Sequence, residues 1–453
     1  MVQQEAHSLT NEYNFQIGDL LMATTYLSRT ATSGNNTTGT FSAWIKRGNL
    51  SSTQCPIGVA VDGNNFINIQ FNSSNQLNLR WYDDGSPDAN YNTTAVFRDV
   101  SAWYHVVIAF DTTQSTSSDR VKIYVNNTLH SLSGYPPQNN TIMFNTGSAT
   151  LQVGSSGFAN SFFDGIMSHV HWIDGTAYDA SAFGQADANG VWTIKTSPSV
   201  TYGNNGFFIL KDGNSVTDQS GNGNNFTVGG GTLTNTEDCP SNVFATYNPL
   251  GNTFPADTFS NGNTTQTTNA ANYSYNTSTL GASSGKYYCE IKNSTDNNNT
   301  IGIVDRPSTS TTDELTGTTY GWGYYNNGQV YNNGSVAATY SSYTTGDIIG
   351  IAMDLDNNKV YFAKNGTWQG SSDPSAGTGG ISITDPASNR SGFYFFASGD
   401  AATLSAVNQA NFGNGYFGTT AVASAGTNAS GIGIFEYDVP TGYTALSTKG
   451  LNL

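Results

Sequence analysis

The chain has 453 residues, only 11 % of them charged against a usual share of about 25 %, and it carries a formal net charge of −16. That length allows two or three domains with full-sized cores, and 12 % aromatic residues exclude disorder as the reason for the low charge. The negative field excludes a phosphate backbone as a natural partner and disfavours an anionic membrane surface, while it suits neutral sugars or bound cations.

Leu9, Tyr13, Ile17, Leu20 and Leu21 fall at helical spacing, so residues 1–21 read as an N-terminal arm able to pack on a neighbouring subunit, or as a frayed tail. Met1 to His7 shows neither a basic nor an apolar region of a signal peptide, and no stretch of 18 apolar residues is present, so neither secretion nor membrane insertion is expected. From Met22 to about residue 235 short strands alternate with Gly and Asn turns. Phe41 to Lys46 alternates, Trp103 to Asp111 is more continuously apolar, and Val121, Ile123 and Val125 share one face before an Asn126-Asn127 turn. That pattern predicts an antiparallel β-sandwich.

The series Ser101 to Asp111, Val121 to Asn127 and Phe163 to Val170 resembles, in order and spacing, the strands of laminin G-like domains of the concanavalin A-like type. Asp218-Gln-Ser-Gly-Asn-Gly-Asn-Asn-Phe226 continues that pattern as a turn-rich exit. Residues 236–262 read as a linker, because Pro240, Pro249 and Pro255 disfavour helix and favour an extended, semi-rigid path.

The third section, 263–453, centres on Gly346 to Trp368. Two apolar runs flank a polar turn there, and Asn365-Gly366 can take the positive φ angles of a tight hairpin. Together with Gly285 to Lys292, Ile301 to Ile303, Tyr320 to Tyr325 and Asn411-Phe-Gly, this stretch resembles SPRY domains. A Gly/Ala/Thr-rich insert follows at about 413–434, and Phe435 to Leu446 is similar to the closing segment of that domain type. The resemblance implies a second sandwich that binds partners through loops. The fold class expected is therefore all-β, two concanavalin A-like sandwiches in tandem. The whole arrangement is similar to virion appendage proteins of marine tailed phages.

A glucanase needs paired carboxylates, commonly as Glu-x-Asp-x-x-Glu; Glu436-Tyr-Asp438 starts that pattern but position 441 is Thr. The other glutamates are Glu5, Glu12, Glu237, Glu290 and Glu314. Gly281-Ala-Ser-Ser-Gly285 has nucleophile-elbow spacing but precedes a strand where a helix is required. His169 and His171, two apart on an apparent strand, would share a face and could hold a metal with Asp164 or Asp174, although no third ligand is firm. Asp354 to Lys359 lacks the Gly and Glu of an EF-hand loop and reads as a hairpin turn. Ca2+ stays open, with Asp62, Asp83, Asp84 and Asp179 as candidates without diagnostic spacing. Cys55, Cys239 and Cys289 are odd in number and widely spaced, so they read as buried or partly buried thiols. No catalytic and no metal residue is assigned.

Aromatic clusters carry the better binding signal, since a flat ring loses little entropy when it stacks on a sugar and adjacent Asn or Asp bond its hydroxyls. The candidates are Trp81, Tyr82, Asp83, Asp84 and Tyr91 in the first section, and Trp322, Tyr324, Tyr325 and Tyr331 in the third; the competing and more common place for any single such aromatic is ordinary sandwich core. The resulting expectation is a non-catalytic phage tail fibre or receptor-binding appendage. It recognises host-surface carbohydrate through weak, multivalent contacts, assembles as a homo-oligomer (a trimer by analogy), and attaches to other virion proteins through residues 1–21. Its location would be the virion, assembled in the host cytoplasm and released by lysis. The alternatives are a capsid decoration or head fibre protein, and a polysaccharide-degrading tailspike.

Overall fold

The structure, a computed structural model, describes residues 24–50, 52–83, 89–211, 215–251, 257–271, 273–295, 298–310, 313–400 and 404–453. The expected arm at 1–21 and Asp84 lie outside the described residues. Among the described residues there is no α-helix, only strands and single turns of 3-10 helix, as the all-β expectation requires.

The first sandwich packs two antiparallel sheets. The seven-stranded sheet runs, edge to edge, Thr227–Gly230, Tyr26–Thr30, Thr150–Val153, Gln54–Asp62, Asn65–Phe71, Gln76–Tyr82 and Ala89–Val96. The six-stranded sheet runs Phe207–Ile209, Gly165–Asp174, Thr38–Arg47, Tyr104–Asp111, Val121–Val125 and Thr128–His130. Side chains alternate across a strand, so Ile67, Ile69 and Phe71 from one strand and Leu77, Leu79 and Trp81 from the next all enter the space between the sheets. Phe41, Ile45, Ile108, Phe110 and Trp172 meet them from the other sheet. Each such side chain contributes roughly 1.5–3 kcal/mol by leaving water. The outer face of the six-stranded sheet is roofed by residues 175–206, where Phe183 and Ala180 pack on Val107 and Ile173.

The second sandwich repeats the plan. One sheet runs Thr258–Ser260, Thr265–Thr267, Val407–Asn411, Lys286–Asn293, Ile348–Asp354, Lys359–Lys364 and Thr367–Trp368, with Ile381–Ser382 beside Lys359–Lys364 and Thr444–Ala445 parallel to Lys286–Asn293. The other runs Ser274–Thr277, Phe395–Asp400, Asn299–Val304, Gly321–Tyr325, Gln329–Asn332 and Ser335–Thr339. The expected hairpin is present: Ile348–Asp354 pairs with Lys359–Lys364, and Asn365 (φ 47°) and Gly366 (φ 76°) turn the chain into Thr367–Trp368. Asn tolerates the left-handed region better than other side chains, which is why Asn126-Asn127 (φ 49° and 66°) closes the corresponding hairpin in the first sandwich.

The connector differs from its expected form. It is not an extended path between modules: Phe244, Ala245 and Tyr247 are buried in the second sandwich, Ala245 N–H donates to Leu446 O (3.0 Å), and Thr258–Ser260 is a strand of that sandwich. The prolines exclude helix there but leave the aromatic residues between them free to dock. The same connector ties the two units together. Lys46 of the first sandwich is 3 % exposed; its ammonium donates to Asp238 Oδ2 (2.6 Å) and to Phe244 O (3.1 Å). Asp238 Oδ1 accepts from Trp103 Nε1 (3.1 Å), and Asn263 Nδ2 donates to Gly48 O (2.9 Å).

Candidate functional site

Strand alternation divides the sequence-predicted aromatic residues between two faces. Trp81 is 2 % exposed and meets the Phe110 ring edge-on, so the structure corrects it from ligand platform to core. Tyr91 pairs across the ladder with the core residue Leu79 and leans, half-buried, on the same core. Tyr82 points the other way and stacks on Phe66 (centroids 5.8 Å apart, planes at 7°). Asp83 Oδ2 accepts from Thr141 N (3.2 Å). In the second sandwich Trp322 and Tyr324 are likewise corrected to core, because their strand alternates them inward against Val330 and Phe362. Tyr325 and Tyr331 face outward as a neighbouring pair (4.9 Å, 66°). Tyr325 shares a hydrogen bond with Thr316 Oγ1 (2.8 Å), and burial pushes its phenol above the usual range.

The outward face of the seven-stranded sheet holds what sequence reading missed. If Ile67, Ile69 and Phe71 face the core, then Phe66, Asn68 and Gln70 face outward; if Leu77, Leu79 and Trp81 face inward, then Asn78, Arg80 and Tyr82 face outward. The register places Phe66 beside Tyr82, Asn68 beside Arg80, Gln70 beside Asn78, and Asn78 beside Asn92. The amides join in a row: Gln70 Nε2 donates to Asn78 Oδ1 (2.8 Å), Asn78 Nδ2 to Asn92 Oδ1 (2.9 Å), and Asn72 Nδ2 to Asn92 Oδ1 (3.0 Å). Each amide bond fixes which end of the next amide is donor and which acceptor. At one end of the row stands an aromatic platform. Phe158, 42 % exposed, meets Phe66 edge-on (5.3 Å, 78°), and the Arg80 guanidinium lies 5.0 Å from the Phe66 ring centre.

The loop carrying Phe158 reaches this face because two glycines touch. A Cβ added to Gly58 would lie 2.5 Å from Gly157 N, so the loop backbone rests directly on the strand. Gly157 N–H in turn donates to Asn68 Oδ1 (3.4 Å). Phe158, Tyr82, Arg80 and Asn92 reach the surface here, while Phe66, Asn68, Gln70 and Asn78 (1–8 % exposed) form the layer beneath that orients them. Amides and phenyl rings carry no ionisable proton, so they can bind and orient a ligand but supply no general acid or base.

Other chemistries from the sequence are placed as follows. His169 and His171 both pack against the Phe208 ring (centroids 5.5 and 4.0 Å away), but His169 has φ 49° within a register shift against Thr38–Arg47, a bulge that breaks the regular alternation. His171 stacks on Phe208 (4.0 Å), bonds the Tyr202 hydroxyl (3.0 Å), and is held well below its usual pKa by burial. Asp174 is used structurally, accepting from Asn35 N (2.8 Å) and Asn205 N (3.0 Å). A buried Ser42–His105 contact (3.0 Å) looks like half a triad. Trp192 Nε1–H donates to His105 Nδ1 (2.9 Å), so Nε2 carries the proton toward Ser42, and burial pushes His105 down to about 3. This pairing cannot deprotonate the serine. Glu436 accepts from Ala423 N (2.8 Å) and Asp438 from Thr427 N (2.6 Å) and Oγ1 (2.8 Å); both carboxylates close turns. Ala282 of the Gly281 to Gly285 turn bridges to Tyr394, and a strand follows. Of the calcium candidates, Asp62 accepts from Asn64 N (2.8 Å) and Asp179 from Ser181 N (2.9 Å), each within its own turn. No group of three or more His, Cys, Asp or Glu side chains with metal-binding geometry occurs among the described residues. No helix among them is long and apolar enough to cross a membrane. Cys55 and Cys289 are buried and Cys239 partly so, all three as free thiols.

Comparison with known proteins agrees with this architecture. Residues 21–181 match the concanavalin A-like lectin/glucanases superfamily, and residues 286–372 match the SPRY domain. No curated protein matches the chain. Among solved structures, the chain is similar to the SPRY domain of human HERC1 (19 % identity, covering 36 % of this chain and 96 % of that one, TM-score 0.30). It is also similar to stonustoxin (16 % identity, 37 % and 27 % covered, TM-score 0.28) and to the heptameric SAP-like pentraxin of Limulus polyphemus (17 % identity, 34 % and 71 % covered, TM-score 0.26). The chain carries a concanavalin A-like, laminin G-type domain followed by a SPRY domain, two β-sandwiches in tandem.

Proposed function

We propose that the chain is a non-catalytic, glycan-binding appendage of a tailed-phage virion, and that the outward face of its first sandwich touches host-surface carbohydrate. The observation that carries the reading is the exposed Phe158 ring beside the half-buried Tyr82, Arg80 and Asn92, held from beneath by the buried Phe66 ring and the Gln70–Asn78–Asn92 row. Oriented neutral amides bond sugar hydroxyls in both directions, and an exposed ring covers the apolar face of a pyranose. A charge-poor surface, with Arg80 as its named charge, in a chain of net charge −16 also agrees with a ligand that brings no charge of its own. The domain order, similar to marine phage appendages, supports the virion location. Repeated copies, as in a trimer attached through residues 1–21, raise the effective concentration of weak sites.

The test is a printed array of bacterial surface glycans probed with the full chain and with a Phe158→Ala/Arg80→Ala variant. We expect the parent to bind a subset of neutral glycans and the variant to lose at least tenfold in signal. A parent that binds none, or a variant that binds as the parent does, overturns the face as the site. Immunogold labelling of intact virions tests the location: gold on a tail or its fibres supports it, and unlabelled particles refute it.

A further inference from the structure

A cleft of about 540 Å³ lies where the two sandwiches meet, within the ~300–1,000 Å³ usual for small-molecule sites, which favour domain junctions. Ser168 and Lys211 line it from the first sandwich, Asn261 and Tyr416 from the second, and the run 232–236 crosses one side. Its two halves are held in place by the buried Lys46–Asp238 pair and by Asn263 on Gly48 O. Hydroxyl and amide side chains, which donate and accept alike, share the lining with apolar ones such as Ile166, Met167 and Leu233.

Asp164 stands in this cleft. Gly262 N–H donates to its carboxylate, no cation is paired with it among the described residues, and burial pushes it up to about 6. A carboxylate has about four acceptor positions, so Asp164 keeps most of its capacity for a ligand. Two neighbouring sugar hydroxyls match such a group, each donating to one oxygen. Asp238 is neutralised by Lys46, so Asp164 and Lys211 are the cleft's remaining charged side chains, one of each sign, and the lining carries no net charge to select a charged ligand.

We propose that the cleft between the sandwiches binds an uncharged oligosaccharide and that Asp164 holds two adjacent hydroxyls of one sugar unit. The proposal rests on the reading of the chain as a glycan binder and adds a site separate from the outward face. Its test uses the full chain and the neutral oligosaccharide that gives the strongest array signal, titrated calorimetrically. The parent is expected to show two sites. Asp164→Asn weakens the cleft site at least tenfold, and Thr232→Trp, a change at an exposed residue of the cleft wall, removes it without altering Tm. Phe158→Ala/Arg80→Ala removes the other site. If the parent has one site, lost in the face variant and untouched in both cleft variants, the cleft proposal is overturned and the glycan-binding reading stands. If the cleft variants remove the one site, the proposal holds and the outward face is displaced as the contact. If no oligosaccharide on the array binds, both fall.

Discussion

Glu290 shows how one residue can fasten a distant segment and make its stability depend on pH. Its side chain is fully buried, yet Glu436 N and Tyr437 N (2.8 Å each), the Tyr288 hydroxyl (3.1 Å) and Asn411 Nδ2 (3.3 Å) all donate to it. Burial outweighs these four donors and pushes the carboxyl from 4.5 up to about 7. A folded-state pKa above the unfolded one means that the folded chain holds the proton more tightly. The group's stabilising contribution is therefore complete below about 4.5 and is lost as pH rises through about 7. Glu290→Gln removes the titration while turning an N–H toward donors, which costs about 1–3 kcal/mol at pH 5. Between pH 5 and 8 the stability difference between the two proteins should shift by on the order of 3 kcal/mol in favour of the variant. Urea unfolding at several pH values measures this, and parallel pH profiles for the two proteins would contradict it. Nothing in the local sequence Tyr-Tyr-Cys-Glu-Ile-Lys marks Glu290 as buried; strand alternation places it, and the return of residues 435–437 and of Asn411 supplies three of its four donors. Trp81 and Trp322 are core for a related reason: aromatic richness in a sequence does not tell which side of the strand each ring takes.

At the scale of elements, the legible parts were those whose geometry is local. Asn365-Gly366 and Asn126-Asn127 name their turns by residue type alone, and the apolar alternation in Phe41 to Lys46 names its strand. His169 was not legible, because a bulge looks like ordinary strand until its partner's register is known. The proposed binding face was half legible: the same period of two that turns Leu77, Leu79 and Trp81 inward turns Asn78, Arg80 and Tyr82 to the opposite side, but Phe158 comes from a loop remote in sequence. That loop supplies a prediction. Gly58→Ala places a Cβ 2.5 Å from Gly157 N, and backbone cannot swing aside as a side-chain tip does. The loop must lift, at a cost of about 1–3 kcal/mol. Amide exchange in 155–160 should quicken several-fold, and glycan binding by the face should fall with it. Unchanged exchange in that loop would show that the two glycines do not seat it.

Across the whole molecule, the two sandwiches have separate cores but share one buried ion pair, and this decides whether they melt as one. Lys46 and Asp238 have side chains only 3 % and 2 % exposed. Asp238 also receives Trp103 Nε1 and, more weakly, Phe244 N (3.3 Å), so it links the first sandwich to the connector that is itself packed into the second. Such a pair, replaced by matched apolar residues, is often neutral, whereas removal of one partner leaves a buried charge and costs roughly 3–5 kcal/mol. Asp238→Ala strands the Lys46 ammonium with Phe244 O as its remaining named acceptor. We expect calorimetry of the parent to give a single transition and of Asp238→Ala to give two, the lower one earlier than the parent's by several degrees. Lys46→Met/Asp238→Leu should restore a single transition, because the desolvation penalty goes with the charges. If Asp238→Ala still melts as one unit at the parent's temperature, the ion pair does not couple the sandwiches, and the coupling must rest on the apolar docking of Phe244 and Tyr247 instead.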